Sequence, residues 1–332
     1  MLLFIVCVII LYLLSLFSKG GVSFNKEKVV PLKAILALLI VLHHISLETS
    51  VKWLQPFNSW GAPIVSIFFF ISGYGLMVSY NNKGDGYLNG FVKRRIIVTL
   101  LLPFLLALLL YRSVAIDLPG AIESICLLLK NGIVTLPHSW YVFAIFVLYI
   151  AFYLSCKVAK GKKSLFLLIL LCAVYIIVTK HQGYARCWYI SILAFPAGVI
   201  YAYYSRHFIT QIYKYTRWIV PVCLLLAAVF YLLKSELGYM LVYVFIPLII
   251  IYLCSTLNVE QLSRIGGIRW LSEISYEIYL CQGIAICLLE KFAIEMIPCI
   301  YIISVYLLTI LLAYVVHQTK IYITNKLFDQ TA

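Results

Sequence analysis

A lysine and a histidine lie eleven residues apart in one apolar segment, and this spacing suits chemistry inside a membrane. The segment PLKAILALLIVLHHIS carries Lys33 and His44. In a helix, eleven steps of about 100° bring the two side chains within about 20° of one another, with a rise of about 16.5 Å. An ammonium group and a titratable imidazole would then share one face, about half a bilayer apart. Ionisable groups are costly in lipid, so the pair is interpreted as a functional site.

The neighbours of this pair have more than one possible role. Glu48 follows His44 at i+4, where it could orient the imidazole, raise its basicity or lie on the rim. His43 points away from the shared face and is assigned to packing or to support of His44. His44 itself could be an interfacial imidazole bonded to a neighbouring helix, and Lys33 a snorkelling cation. No group of residues has the spacing of a metal site, so no metal is predicted.

The elements that must position these groups are membrane-spanning helices. The 332-residue chain is 64% hydrophobic and 11% charged, with a mean hydropathy of +1.03. Apolar runs of near-spanning length recur along it, and lipid offers their backbone no hydrogen-bond partner except its own. We predict an all-α polytopic transmembrane bundle. Its eleven expected spans are Leu2–Phe17, Val29–Leu47, Gly61–Tyr80, Ile96–Tyr111, Trp140–Cys156, Leu165–Thr179, Trp188–Tyr204, Trp218–Leu233, Tyr239–Ser255, Leu271–Leu289 and Pro298–His317.

The distribution of basic residues orients this bundle. Alternate connections carry 19 of the 26 lysines and arginines, and the opposite connections carry 7. The positive-inside rule makes the first set cytoplasmic, with the N-terminus outside and the C-terminus inside. The net charge of +14 therefore reflects orientation and anionic lipid, and no nucleic-acid partner is expected. The first span lacks the features of a cleaved signal peptide and is expected to be a retained helix.

Further motifs stand in a fixed order around the Lys33–His44 pair. They are FFFISGYG at Phe68–Gly75, FVKRRIIVTLLLPF at Phe91–Phe104, ISYEIYLCQG at Ile274–Gly283 and, more weakly, HSWYVF at His138–Phe143. Together with a basic residue placed eleven positions before a histidine, they resemble the membrane acyltransferase-3 family. The resemblance covers about Pro31 to Val316.

The resemblance implies a fold, a reaction and a location. Residues 29–332 would form the acyltransferase-like transmembrane domain, and residues 1–28 an additional transmembrane helix and cytoplasmic loop. Members move acyl groups from cytoplasmic acyl-CoA to extracytoplasmic glycans, lipids or small molecules. The expected protein is an O-acyltransferase of a bacterial plasma membrane that uses acetyl-CoA or another acyl-CoA as donor substrate, with no permanently bound cofactor. The expected partners are membrane lipids and a carbohydrate or lipid-linked acceptor outside the cell.

The resemblance also implies roles for particular residues. His44 would act as general base on an acceptor hydroxyl or as an acyl-histidine relay, with Lys33 beside it in the catalytic set. Glu48 is added to this set only because of its i+4 spacing from His44. The residues expected to bind the donor are Lys33, Lys93, Arg94, Arg95, Ser72, Gly73 and Tyr74. Tyr276, Tyr279 and Gln282 are expected to contact the acceptor. Arg112, Arg186 and Trp188 join them because of their position at outer span ends and not because of the resemblance, and placement in an aromatic belt explains the tryptophan equally well. Cations suit the phosphates of CoA, although the basic cluster could equally be a solvated cap.

Two positions depart from the family pattern. Val98 stands where an arginine often follows the basic cluster, and Gln282 stands where a histidine often follows the late Tyr-Leu pair. A glutamine cannot take up a proton but can still hydrogen-bond, so this position is not an obligatory base. A proton-coupled transporter or exporter, and a non-catalytic sensor, remain alternative functions. A transporter is disfavoured because the chain has no paired halves with matching broken helices.

Overall fold

The computed structural model describes residues 2–17, 24–115, 118–212, 216–257, 259–290, 292 and 296–328, with backbone only at 2, 205–212, 216, 217 and 328. Over these ranges the chain forms helices and turns without a β-strand, as its apolar runs predict. The α-helices are α1 Leu2–Phe17, α2 Lys26–Glu48, α3 Gly61–Lys83, α4 Leu102–Val114, α5 Ala121–Asn131, α6 Trp140–Val158, α7 Lys162–His181, α8 Cys187–Ile190, α9 Ala194–Ile212, α10 Thr216–Leu232, α11 Glu236–Thr256, α12 Gly266–Glu273, α13 Ser275–Glu290 and α14 Pro298–Phe328. A 3₁₀ helix at Lys52–Ser59 precedes α3, and a π-helical segment at Val92–Leu101 leads into α4.

The helices match the predicted membrane bundle, with differences in length and continuity. Eight helical stretches within the described ranges are long and apolar enough to cross a membrane. The first, eighth and tenth predicted spans contain shorter helices, namely α1, α10 and α13. The tenth is also interrupted, because α12 ends before Ile274 and the Ser275 hydroxyl donates to the Ser272 carbonyl at 2.8 Å. The prediction of one continuous helix at Leu271–Leu289 was therefore wrong.

Helix α2 lies at the centre of the bundle and contacts α3, α12 and α13. Its first turn is fixed by Asn25, whose side-chain oxygen accepts from the Lys28 amide at 3.1 Å. The Lys28 side chain is buried and donates to the Ser255 carbonyl at 3.0 Å, which ties α2 to the end of α11. These contacts hold the register of the helix that carries both Lys33 and His44.

Helices α3 and α9 cross with their backbones in contact. A Cβ atom added at Gly73 would lie 2.2 Å from the Phe195 carbonyl oxygen, and one added at Gly198 would lie 2.1 Å from the Phe70 carbonyl oxygen. Only glycine allows this separation at either position. The crossing fixes α3 beside α2, so that the Ser72–Gly75 segment stands next to the central helix.

Candidate active site

A cavity of about 480 Å³ lies between α2, α3, the π-helical segment, α6 and α13. Lys26, Lys33 and Arg95 line one end of it, and Ile40 and Tyr279 line the other. Ile40 follows Lys33 by two turns of α2 and precedes His44 by about one turn. The cavity therefore runs along the face of α2 that the lysine and the histidine were predicted to share.

The Lys33 end of the cavity is rich in charge. Lys33 is mostly buried and interacts electrostatically with Glu277 and Lys320. Glu277 is 1% exposed; it forms an ion pair with Lys320 and accepts from Nδ1 of His317 at 3.0 Å. Glu277 is compensated by these two groups on α14, so the charges that remain at this end of the cavity are Lys33 and Arg95 together with the nearby carboxylate of Glu273.

Only one member of the predicted basic cluster faces the cavity. Arg95 lines it and donates through Nε to the Tyr87 hydroxyl at 3.0 Å. Arg94 is exposed and donates to the Tyr87 carbonyl at 3.0 Å, while Lys93 is exposed beside it. The π-helical winding places Thr99 on the cavity wall with Arg95. π-Helical turns often mark functional sites, and residues of this one line the cavity.

The Ser72–Gly75 segment divides between the cavity and the helix crossing. Ser72, Tyr74 and Gly75 line the cavity, and the Tyr74 hydroxyl donates to the Phe24 carbonyl at 2.8 Å. Gly73 packs against the α9 backbone at Phe195 and does not contribute to the cavity lining, so the structure gives this residue a packing role. Tyr276 also lines the cavity, and its hydroxyl donates to the Leu100 carbonyl at 3.0 Å.

His44 is buried beyond the inner end of the cavity, in contact with two other histidines. Its ring stacks on that of His138, with centroids 3.9 Å apart and planes at 22°, and the His43 ring centroid lies 4.9 Å away. Nδ1 of His43 donates to the Phe57 carbonyl at 3.0 Å. A Cβ atom at Gly61 would lie only 2.3 Å from Nε2 of His43, so glycine is required there to accommodate the ring.

His138 was not predicted as a site residue, although it begins the HSWYVF motif at His138–Phe143. Its φ of +62° places a non-glycine residue in the left-handed region, a strained conformation that is often found at functional sites. Its carbonyl accepts a hydrogen bond from the hydroxyl of Tyr279, which lines the cavity. Burial lowers the pKa of His138 to about 4, with the nearby His43 as a smaller cause. Tyr279 and His138 thus stand between the cavity and His44.

Several polar atoms around His44 are buried without a hydrogen-bond partner. They include Nδ1 of His44, Oγ of Ser139 and both amide atoms of Gln282. The Gln282 amide lies beside the His44 imidazole, but no hydrogen bond with acceptable geometry joins them. Native interiors rarely leave such groups unpaired, so their concentration here marks a binding position.

The predicted residues at the outer helix ends do not join this group. Glu48 is exposed and makes no hydrogen bond to His44 among the described contacts. Arg112 donates to the Pro119 carbonyl at 2.8 Å, and Arg186 stacks on the Tyr239 ring at 4.4 Å. Trp188 is buried against Trp140, with ring centroids 6.1 Å apart. These side chains have structural contacts of their own and lie outside the cavity lining.

Together the apolar helices, the cavity and the buried histidine define an integral membrane protein with an internal site. A family model described as an acyltransferase domain matches residues 32–318, and the chain belongs to this acyltransferase-3 family. The match begins in α2 and ends in α14; it includes the cavity residue Lys33, the buried His44 and Gln282, whereas α1 lies outside it. No curated protein and no solved structure matches the chain. The protein is therefore a membrane acyltransferase, a class defined by acyl transfer and not by a particular donor or acceptor.

Proposed function

We propose that this protein transfers an acyl group, with acetyl as the expected group, from cytoplasmic acyl-CoA to a hydroxyl of an extracytoplasmic glycan, lipid-linked sugar or small molecule. The observation that carries the proposal is the cavity that begins at Lys33 and Arg95 and ends at Tyr279, whose hydroxyl bonds to His138 beside His44. It would allow a donor and an acceptor to meet within the bundle while they approach from opposite sides.

The charge distribution supports this direction of entry. The Lys33 end of α2 belongs to the side that carries most basic residues, which the positive-inside rule assigns to the cytoplasm. Lys33 and Arg95 are the cations on the cavity wall that suit the phosphates of CoA, together with Lys26 at its rim. The plasma membrane of a bacterium is the proposed location.

The cavity wall suits the remainder of the donor. Ser72, Tyr74 and Tyr276 line the route between the cationic end and Tyr279, and its other walls are largely apolar. The rise from Lys33 to His44 is about 16.5 Å, a distance that an extended pantetheine arm can span in large part. Because Tyr279 closes the inner end, the thioester reaches His44 only when this side chain turns away from the His138 carbonyl.

His44 is the proposed general base. An imidazole nitrogen of His44 removes the proton of the acceptor hydroxyl as its oxygen bonds to the thioester carbonyl carbon. The carbon–sulfur bond then breaks, and the departing thiolate of CoA recovers the proton from His44. The aromatic side chains around this position exclude water, which protects the thioester from hydrolysis. An acyl-histidine intermediate is the variant that retains the same residues.

The experiment measures CoA release from acetyl-CoA by purified protein in nanodiscs, with an envelope extract of the producing cells as acceptor. His44→Ala is expected to abolish release, whereas His181→Ala, at an exposed histidine on α7, retains wild-type activity. Activity of His44→Ala at the wild-type rate would contradict the proposal. Substrate flux across vesicles without CoA release would instead favour an exporter.

A second comparison tests the donor site. Arg95→Ala and Lys33→Ala are expected to raise KM for acetyl-CoA at least tenfold, since each removes a charge that contacts phosphate, and Lys33→Arg retains part of the affinity. The matched control is Lys93→Ala, which removes an exposed cation outside the cavity lining. An equal KM in Arg95→Ala and Lys93→Ala would remove Arg95 from the donor site.

A further inference from the structure

Gln282 is buried in a way that packing alone does not explain. Its side chain is 0% exposed on α13, in a stretch whose neighbours Cys281, Ile284 and Ala285 are equally buried and apolar. Both atoms of its amide lack a hydrogen-bond partner. An apolar side chain of similar size would avoid the desolvation penalty, so the amide is retained against stability.

The surroundings of this amide place it at the reacting centre. The His44 imidazole lies beside it, and the next residue, Gly283, packs against Pro137 and His138 of the turn before α6. A Cβ atom at Gly283 would lie 2.7 Å from Cβ of Pro137. Helix α13, the proposed base and the turn thus converge on one small region in an apolar environment, where a hydrogen bond is stronger than in water.

The proposed reaction needs a hydrogen-bond donor at this point. When the acceptor oxygen bonds to the thioester carbon, the carbonyl oxygen gains negative charge and must be stabilised. Lys33 lies about three helical turns away on α2 and cannot reach it. Within the described part of the chain, the ionisable side chains that act on His44 are His138 and His43, and neither a lysine nor an arginine is among them. The uncharged Gln282 amide is the donor beside the base.

We infer that Gln282 is a catalytic residue whose Nε2–H donates to the thioester carbonyl oxygen as that oxygen becomes an oxyanion. The inference rests on the proposed acyl transfer. The proton of the acceptor hydroxyl goes to His44, the carbonyl electron pair moves onto the oxygen held by Gln282, and the pair returns as the carbon–sulfur bond breaks. The Oε1 atom of the same amide can accept from the His44 ring N–H and thereby fix its tautomer.

The test replaces the amide with an apolar chain of similar length. Gln282→Met is expected to lower kcat for CoA release from acetyl-CoA by about 10²–10³-fold. KM for acetyl-CoA stays unchanged, and Tm equals or exceeds that of the wild type because an unpaired buried amide is removed. Gln282→His, which keeps an N–H donor, is expected to retain more activity than Gln282→Met.

The outcomes separate this inference from the proposed function. If Gln282→Met keeps kcat within twofold of the wild type while His44→Ala is inactive, Gln282 is not catalytic and the acyl transfer stands. A fall in kcat accompanied by a lower Tm would assign Gln282 a structural role and overturn the inference. Full activity of both variants would remove the proposed function itself.

Discussion

Acid is expected to destabilise the folded protein through His138. Burial lowers the pKa of this imidazole from 6.5 to about 4, and its ring stacks on His44 at 3.9 Å. An unfolded histidine titrates near about 6.5, so between that pH and about 4 the unfolded state binds a proton that the folded state does not. The free energy of unfolding therefore has its full value above the unfolded pKa of about 6.5 and decreases as the pH falls toward about 4. The full shift corresponds to about 3 kcal/mol.

The assay is thermal unfolding of the detergent-solubilised protein at steps between neutral and acid pH. His138→Asn removes the titrating group with a residue that tolerates the left-handed conformation, so its Tm is expected to fall less steeply with pH than that of the wild type. His181→Asn, at an exposed histidine, is expected to follow the wild-type curve. The reasoning is refuted if His138→Asn and the wild type lose Tm in parallel.

Two further predictions concern the helix contacts that support the site. Gly73→Ala is expected to destabilise the protein by about 1–3 kcal/mol because its Cβ meets the α9 backbone. The control Gly75→Ala, at a position with nothing within 4 Å, is expected to be neutral or stabilising. Equal Tm values for the two variants would contradict the close contact between α3 and α9. Glu277→Gln is expected to destabilise by about 3–5 kcal/mol because it removes the carboxylate that pairs with the Lys320 ammonium and accepts from His317. Asp85→Asn, which removes an exposed ion pair, leaves Tm unchanged, and the same result for Glu277→Gln would show that the buried cluster is dispensable.

The sequence predicted the central geometry well because it depends on helical periodicity alone. The spacing of Lys33 and His44 placed both on one face of α2, and the cavity follows that face from Lys33 as far as Ile40. The apolar runs gave the helices for the same reason, since a membrane-spanning backbone must satisfy its own hydrogen bonds. Where a predicted span is interrupted, as at Ile274 between α12 and α13, the apolar pattern did not reveal the break.

Residues whose role depends on packing between distant segments could not be assigned from the sequence. Arg95 lines the cavity whereas Lys93 and Arg94 do not, because the helical winding of this segment points only Arg95 inward. Gly73 faces α9 while its neighbours face the cavity, a distinction that requires the position of α9. His138 reaches His44 through a turn with positive φ, which no local spacing indicates.

The most direct test of the account is a structure with a bound thioether analogue of acetyl-CoA, which cannot be cleaved. The account predicts the phosphates beside Lys33 and Arg95, Tyr279 turned away from His138, and the carbonyl oxygen of the analogue at the Gln282 amide next to His44. A nucleotide bound outside the cavity, or an acyl carbonyl that points away from His44, would contradict it.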